Sequence, residues 1–64
     1  MDISGTDKLL TVSEVAEMLG VPVSWVYGRT RERGMQRIPH VKLGKYVRFD
    51  AGEVRNWVAK FQEN

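Results

Sequence analysis

Apolar positions recur along this chain with two periods. Val12, Val15, Ala16 and Leu19 fall at i, i+3, i+4 and i+7, which is one face of an α-helix. Val23, Val26, Tyr27 and Thr30 repeat that spacing, and so do Val54, Trp57, Val58 and Phe61. Between the second and third of these sets the period shortens to two. Val41 and Leu43 flank Lys42, and Val47 and Phe49 flank Arg48. Such alternation is that of a strand with one apolar face.

Cap signals bound the helices. Thr11-x-x-Glu14 is a capping box, in which the hydroxyl accepts from the Glu14 N–H and the Glu14 carboxylate reaches back. Gly20 stands where a left-handed residue stops a helix, so the first helix is expected over 12–19. Pro22 favours the start of a new helix, and Gly34 offers the next stop. The second helix is therefore expected over 23–33. Two helices joined by a glycine-containing connector of about three residues read as a helix-turn-helix. Asp50-x-x-Glu53 is a second capping box and opens a helix expected over 51–62. The hairpin register also follows from the pattern. A two-residue loop, Gly44-Lys45, splits the apolar residues of the two strands between opposite faces. A three-residue loop, Gly44 to Tyr46, pairs Leu43 with Val47 and Val41 with Phe49 and unites them, and it is the expected arrangement. Residues 1–8 are polar and aperiodic, an arm before a domain over 9–62. The expected fold is mainly α with a β-hairpin, a winged helix-turn-helix in the order helix, turn, helix, hairpin wing, helix.

Composition narrows the function. With 64 residues and no cysteine, the chain forms one small domain without disulfides or cysteine-held metal. His40 is the single histidine, which removes a multi-histidine metal site. A domain of about 60 residues buries only about 60% of the surface its unfolded chain exposes. A deep catalytic cleft rarely fits such a core, so neither enzymatic activity nor a cofactor is expected. No apolar run exceeds three residues, too short for a membrane span or a signal peptide. A cytoplasmic protein with no membrane partner is expected.

The net charge of +2 hides an uneven distribution. Residues 1–20 sum to −3 and residues 51–64 to zero. Residues 21–50 carry Arg29, Arg31, Arg33, Arg37, Lys42, Lys45 and Arg48 against Glu32 and Asp50, a sum of +5. Such a block suits a polyanion-binding face, and the plain alternative is a solvated surface. Two like-charge arrangements favour the polyanion. Arg29 and Arg33 lie at i, i+4 on the expected second helix. Lys42 and Arg48 lie opposite each other under the three-residue loop.

On the second helix Ser24, Trp25, Gly28, Arg29 and Arg31 point outward or sideways. Ser24, in the first turn, suits a phosphate or base edge, and Arg29 suits guanine or phosphate, with Arg31 flanking. Gly28 costs about 1 kcal/mol against alanine within a helix. It is either a point of close approach to DNA or a tolerated surface glycine. Trp25 packs on the sugar-phosphate backbone or on the edge of the core. Tyr27 is mainly core, with a hydroxyl near phosphate reach, and Trp57 is core. His40 is structural or phosphate-facing. Met18 and Met35 read as gap fillers. Lys42, Lys45 and Arg48 are placed against phosphates, with the Gly44-Lys45 tip near the minor groove.

The run from Leu10 to Val21, the Ser24-x-Val26-Tyr27 segment, the run from Ile38 to Phe49 and the closing helix with Trp57 resemble the excisionase-type, MerR-related winged helix-turn-helix domain. That resemblance covers about residues 9–60. It implies a second helix in the major groove, a wing along the minor groove, and contacts falling on Ser24, Tyr27, Arg29, Lys42, Lys45 and Arg48. For small phage-borne members it implies a recombination directionality factor, which binds repeated sites, bends DNA and steers an integrase towards excision. The partners so implied are double-stranded DNA, further copies of the chain on tandem sites and a phage integrase. The chain differs from the family in carrying Gly28 where a larger polar or basic residue is frequent, and Pro22 where a small capping residue is frequent. A small phage or plasmid transcriptional regulator is the alternative within the fold. A protein-interaction adaptor is the alternative outside DNA binding, and it has no need of the basic block.

Overall fold

The computed structural model describes residues 9–61, so the expected arm over 1–8 and residue 62 lie outside them. Helix α1 runs Val12–Leu19 and helix α2 runs Val23–Thr30. A 3-10 turn, Gly34–Gln36, leads to strands β1, Val41–Leu43, and β2, Tyr46–Arg48. Helix α3, Ala51–Phe61, closes the domain. The order is helix, turn, helix, antiparallel hairpin, helix: a winged helix-turn-helix.

Both caps of α1 form as the residues dictate. The Glu14 N–H donates to Thr11 Oγ1 at 3.1 Å, and the Thr11 N–H donates to Glu14 Oε1 at 2.8 Å. Gly20 takes φ 71°, and the Val21 N–H reaches back to the Ala16 carbonyl at 3.0 Å. That six-to-one bond turns the chain sharply into α2. At α3 the Asp50 side chain accepts from the Glu53 N–H at 3.0 Å.

Helix α2 ends three residues before the expected boundary. In a longer helix the Arg29 carbonyl would accept from the Arg33 N–H. Here the Ile38 N–H donates to it instead, at 3.2 Å, and Ile38 is wholly buried. Burial of Ile38 thus pulls the chain out of the helix. Arg33 lies in extended backbone ahead of the 3-10 turn, so the expected Arg29–Arg33 pair on one helix face does not form.

The hairpin also departs from expectation. Its loop has two residues, and the register pairs Val41 with Arg48, Lys42 with Val47 and Leu43 with Tyr46. Gly44, at φ 63°, supplies the left-handed first position that a type II′ turn requires. Turn chemistry decides the register here, because a two-stranded wing need not bury its outer face. Val41, Leu43 and Tyr46 lie outward and about half exposed, while Val47 packs inward. Phe49 pairs with Leu10 rather than Val41, through N–H···O bonds of 2.7 and 2.9 Å in a short bridge. Lys42 and Arg48 do not oppose each other, so that argument for a polyanion falls away.

The core is Val12, Val15, Ala16, Val26, Ile38, Phe49, Val54 and Trp57, with Leu10, Leu19, Val21, Trp25, Val47 and Val58 packed round it. Every element but β1 and the 3-10 turn contributes. From α2 only Val26 is buried. Val23 and Tyr27, expected inside, are exposed, and Thr30 turns its hydroxyl back to the Tyr27 carbonyl at 2.6 Å. Met18 and Met35 are exposed, not gap fillers. Trp57 is buried as expected, and its Nε1–H donates to the Met35 carbonyl at 3.0 Å, tying α3 to the 3-10 turn.

Candidate nucleic-acid interface

Helical geometry sorts the side chains of α2 around buried Val26. Ser24 and Gly28 lie on the opposite arc, with Arg31 just past the helix end. Tyr27 falls on one flank, Trp25 and Arg29 on the other. Space beyond Gly28 is open: a β-carbon there would meet no atom within 4 Å. Ser24 and Arg31 are exposed. Pro22 caps α2 without a side-chain hydrogen bond, its carbonyl accepting from the Trp25 N–H at 3.0 Å.

On the Tyr27 flank, α1, α2 and the wing meet round a cleft of about 250 Å³. Ser13 and Tyr27 line it from the helices, and Lys45, Tyr46 and Arg48 from the wing. Tyr46 gathers both cations. Lys45 Nζ lies 5.8 Å and Arg48 Cζ 5.3 Å from its ring centroid. Arg48 also donates to the Val47 carbonyl at 2.9 Å. Aromatic support holds a cation without neutralising it. Lys42 is exposed on β1, away from this cluster in register.

On the opposite flank Trp25 occupies the edge of the core. Its ring centroid lies 6.1 Å from that of Trp57, tilted by 59°. Arg29 lies across the outer face of Trp25, with Cζ 4.7 Å from the ring centroid, and donates from Nη1 to Gln36 Oε1 at 2.6 Å. Gln36 did not stand out in the sequence, since its contact crosses from a helix to a turn seven residues away. Arg31 and Arg33 leave the end of α2 and are exposed.

His40 does not line the cleft. Its Nδ1–H donates to the Ile38 carbonyl at 2.8 Å, and its ring lies 6.2 Å from Phe49, which gives it a structural place. A larger groove of about 620 Å³ runs between the 3-10 turn, residues 37–40 and α3. Among the described residues, no cluster of three or more potential metal ligands occurs, and no helix is long and apolar enough to cross a membrane.

A family model described as a helix-turn-helix domain matches residues 9–62. No curated protein and no solved structure matches the chain. The family match spans both helices of the turn, the wing and α3, the elements that build this surface, and the chain belongs to the helix-turn-helix domain family.

Proposed function

We propose that this protein is a DNA-binding architectural factor of the excisionase kind, a recombination directionality factor. The observation that carries DNA binding is the placement of the wing cations beside α2. Lys45 and Arg48 share one cleft with Tyr27, and the hydrogen bonds of Arg29 and Arg48 go to neutral oxygens. Basic groups whose hydrogen bonds end on neutral oxygens, next to an exposed helix, suit a phosphate backbone.

In this reading α2 enters the major groove, with Ser24 and Gly28 facing base edges and Arg31 and Arg33 flanking on phosphate. Tyr27 donates its hydroxyl to a phosphate. Arg29, supported by Trp25, meets the backbone on the far flank. Lys42, Lys45 and Arg48 follow the backbone along the wing, whose Gly44-Lys45 tip approaches the minor groove. The domain, residues 9–62, spends its surface on this contact, and a single module of this kind buries about 600–1,000 Å² of protein surface. That area limits selectivity, so several copies act on repeated sites, bend the DNA and direct an integrase towards excision.

The excisionase role rests on the resemblance of the residue pattern, and its test is a reconstituted reaction. Integrase, attachment-site duplexes and the protein should give excision that depends on the protein, with a footprint over adjacent repeats. A footprint over a promoter, with no effect on excision, assigns a transcriptional regulator instead.

A further inference from the structure

We infer that Gln36 is a positioning residue that holds Arg29 ready for a DNA phosphodiester. This inference rests on the DNA-binding reading above and adds a residue to it. Arg29 is fixed on three sides. Its backbone carbonyl accepts from the Ile38 N–H at 3.2 Å. Its guanidinium covers the Trp25 ring at 4.7 Å, and its Nη1 donates to Gln36 Oε1 at 2.6 Å. A guanidinium has five N–H donors in a fixed fork. One is used by Gln36, so the fork keeps donors for a second acceptor.

The chemistry of the acceptor is the decisive point. A carboxylate at position 36 would orient the fork equally well but cancel its charge. An amide oxygen orients it and leaves the whole positive charge in place. A neutral holder leaves Arg29 its full charge for a phosphate, whereas a carboxylate would offset it. Trp25 acts in the same sense, since its ring supports the cation without neutralising it. Gln36 lies on the 3-10 turn, which Trp57 Nε1–H anchors through the Met35 carbonyl. The holder is therefore itself held.

The test is a double-mutant cycle with binding to a 20-base-pair duplex read at several salt concentrations. Gln36→Ala should weaken binding about 3- to 10-fold, the effect of freeing one long side chain before it binds. It leaves the slope of log K against log[salt] unchanged, because no charge is lost. Arg29→Ala should lower that slope by about one unit. In the Arg29→Ala background, Gln36→Ala should have no further effect. Gln36→Glu keeps the hydrogen bond, offsets the Arg29 charge and should lower the slope by about one unit, an effect that should be absent in the Arg29→Ala background if it acts through Arg29. Thermal melts of each variant show that the fold is retained. If the unaltered protein shows no salt-dependent binding, the DNA reading itself fails. If it binds, and Gln36→Ala either has no effect or has its full effect without Arg29, the positioning role is overturned.

Discussion

At the scale of single residues, stability and recognition pull apart most visibly at Gly28. It is the one glycine within α2, its outward space is open, and its φ is ordinary. Gly28→Ala should therefore stabilise the domain by about 0.5–1 kcal/mol through helix propensity. A thermal melt should record a rise of several degrees, about 4–8 °C for each kcal/mol in a domain this small. Duplex binding by the same variant decides between its two roles. Unchanged affinity marks a tolerated surface glycine, and weakened affinity marks close approach to DNA. Thr11 is the opposite case. Its hydroxyl satisfies the Glu14 N–H, and Thr11→Ala should cost about 1 kcal/mol while removing no charge from the cleft that Thr11 lines together with Lys45 and Arg48. A lower Tm with an unchanged slope of log K against log[salt] is the expected pair of results.

At the scale of elements, α1 and α3 follow from local information. Thr11, Glu14 and Gly20 act within one turn of the helix they bound, so residue order alone places α1. The end of α2 does not follow, because a distant residue decides it: Ile38 must be buried for its N–H to reach the Arg29 carbonyl. Hairpin register does not follow either. Alternation of Val41, Leu43, Val47 and Phe49 argues for one apolar face, but the positive φ of Gly44 commits the loop to two residues. The register is open to a direct check. Leu43→Thr should change stability by less than about 0.5 kcal/mol, since Leu43 lies outward. Under the three-residue loop the same change would open the core and lower the Tm markedly. Of the proposed contacts, the residue types were legible in the basic block, while their grouping was not. Tyr27 becomes a surface residue only once α2 is docked through Val26, and Gln36 meets Arg29 only once the 3-10 turn has folded back. For the wing, Lys45→Ala should weaken binding to all duplexes alike and flatten the salt slope by about one unit.

At the scale of the whole molecule, a net charge of +2 divides into an acidic first third and a +5 segment that carries α2 and the wing. Glu14 and Glu17 lie on the exposed face of α1, while Tyr27, Lys45 and Arg48 share the cleft beside α2. Little of the chain lies beyond the helix-turn-helix match, which covers residues 9–62. DNA binding is tested most directly by titrating duplex affinity against salt. Contact with about five phosphates predicts that log K falls against log[salt] with a slope near −4 to −5. A flat response would contradict it.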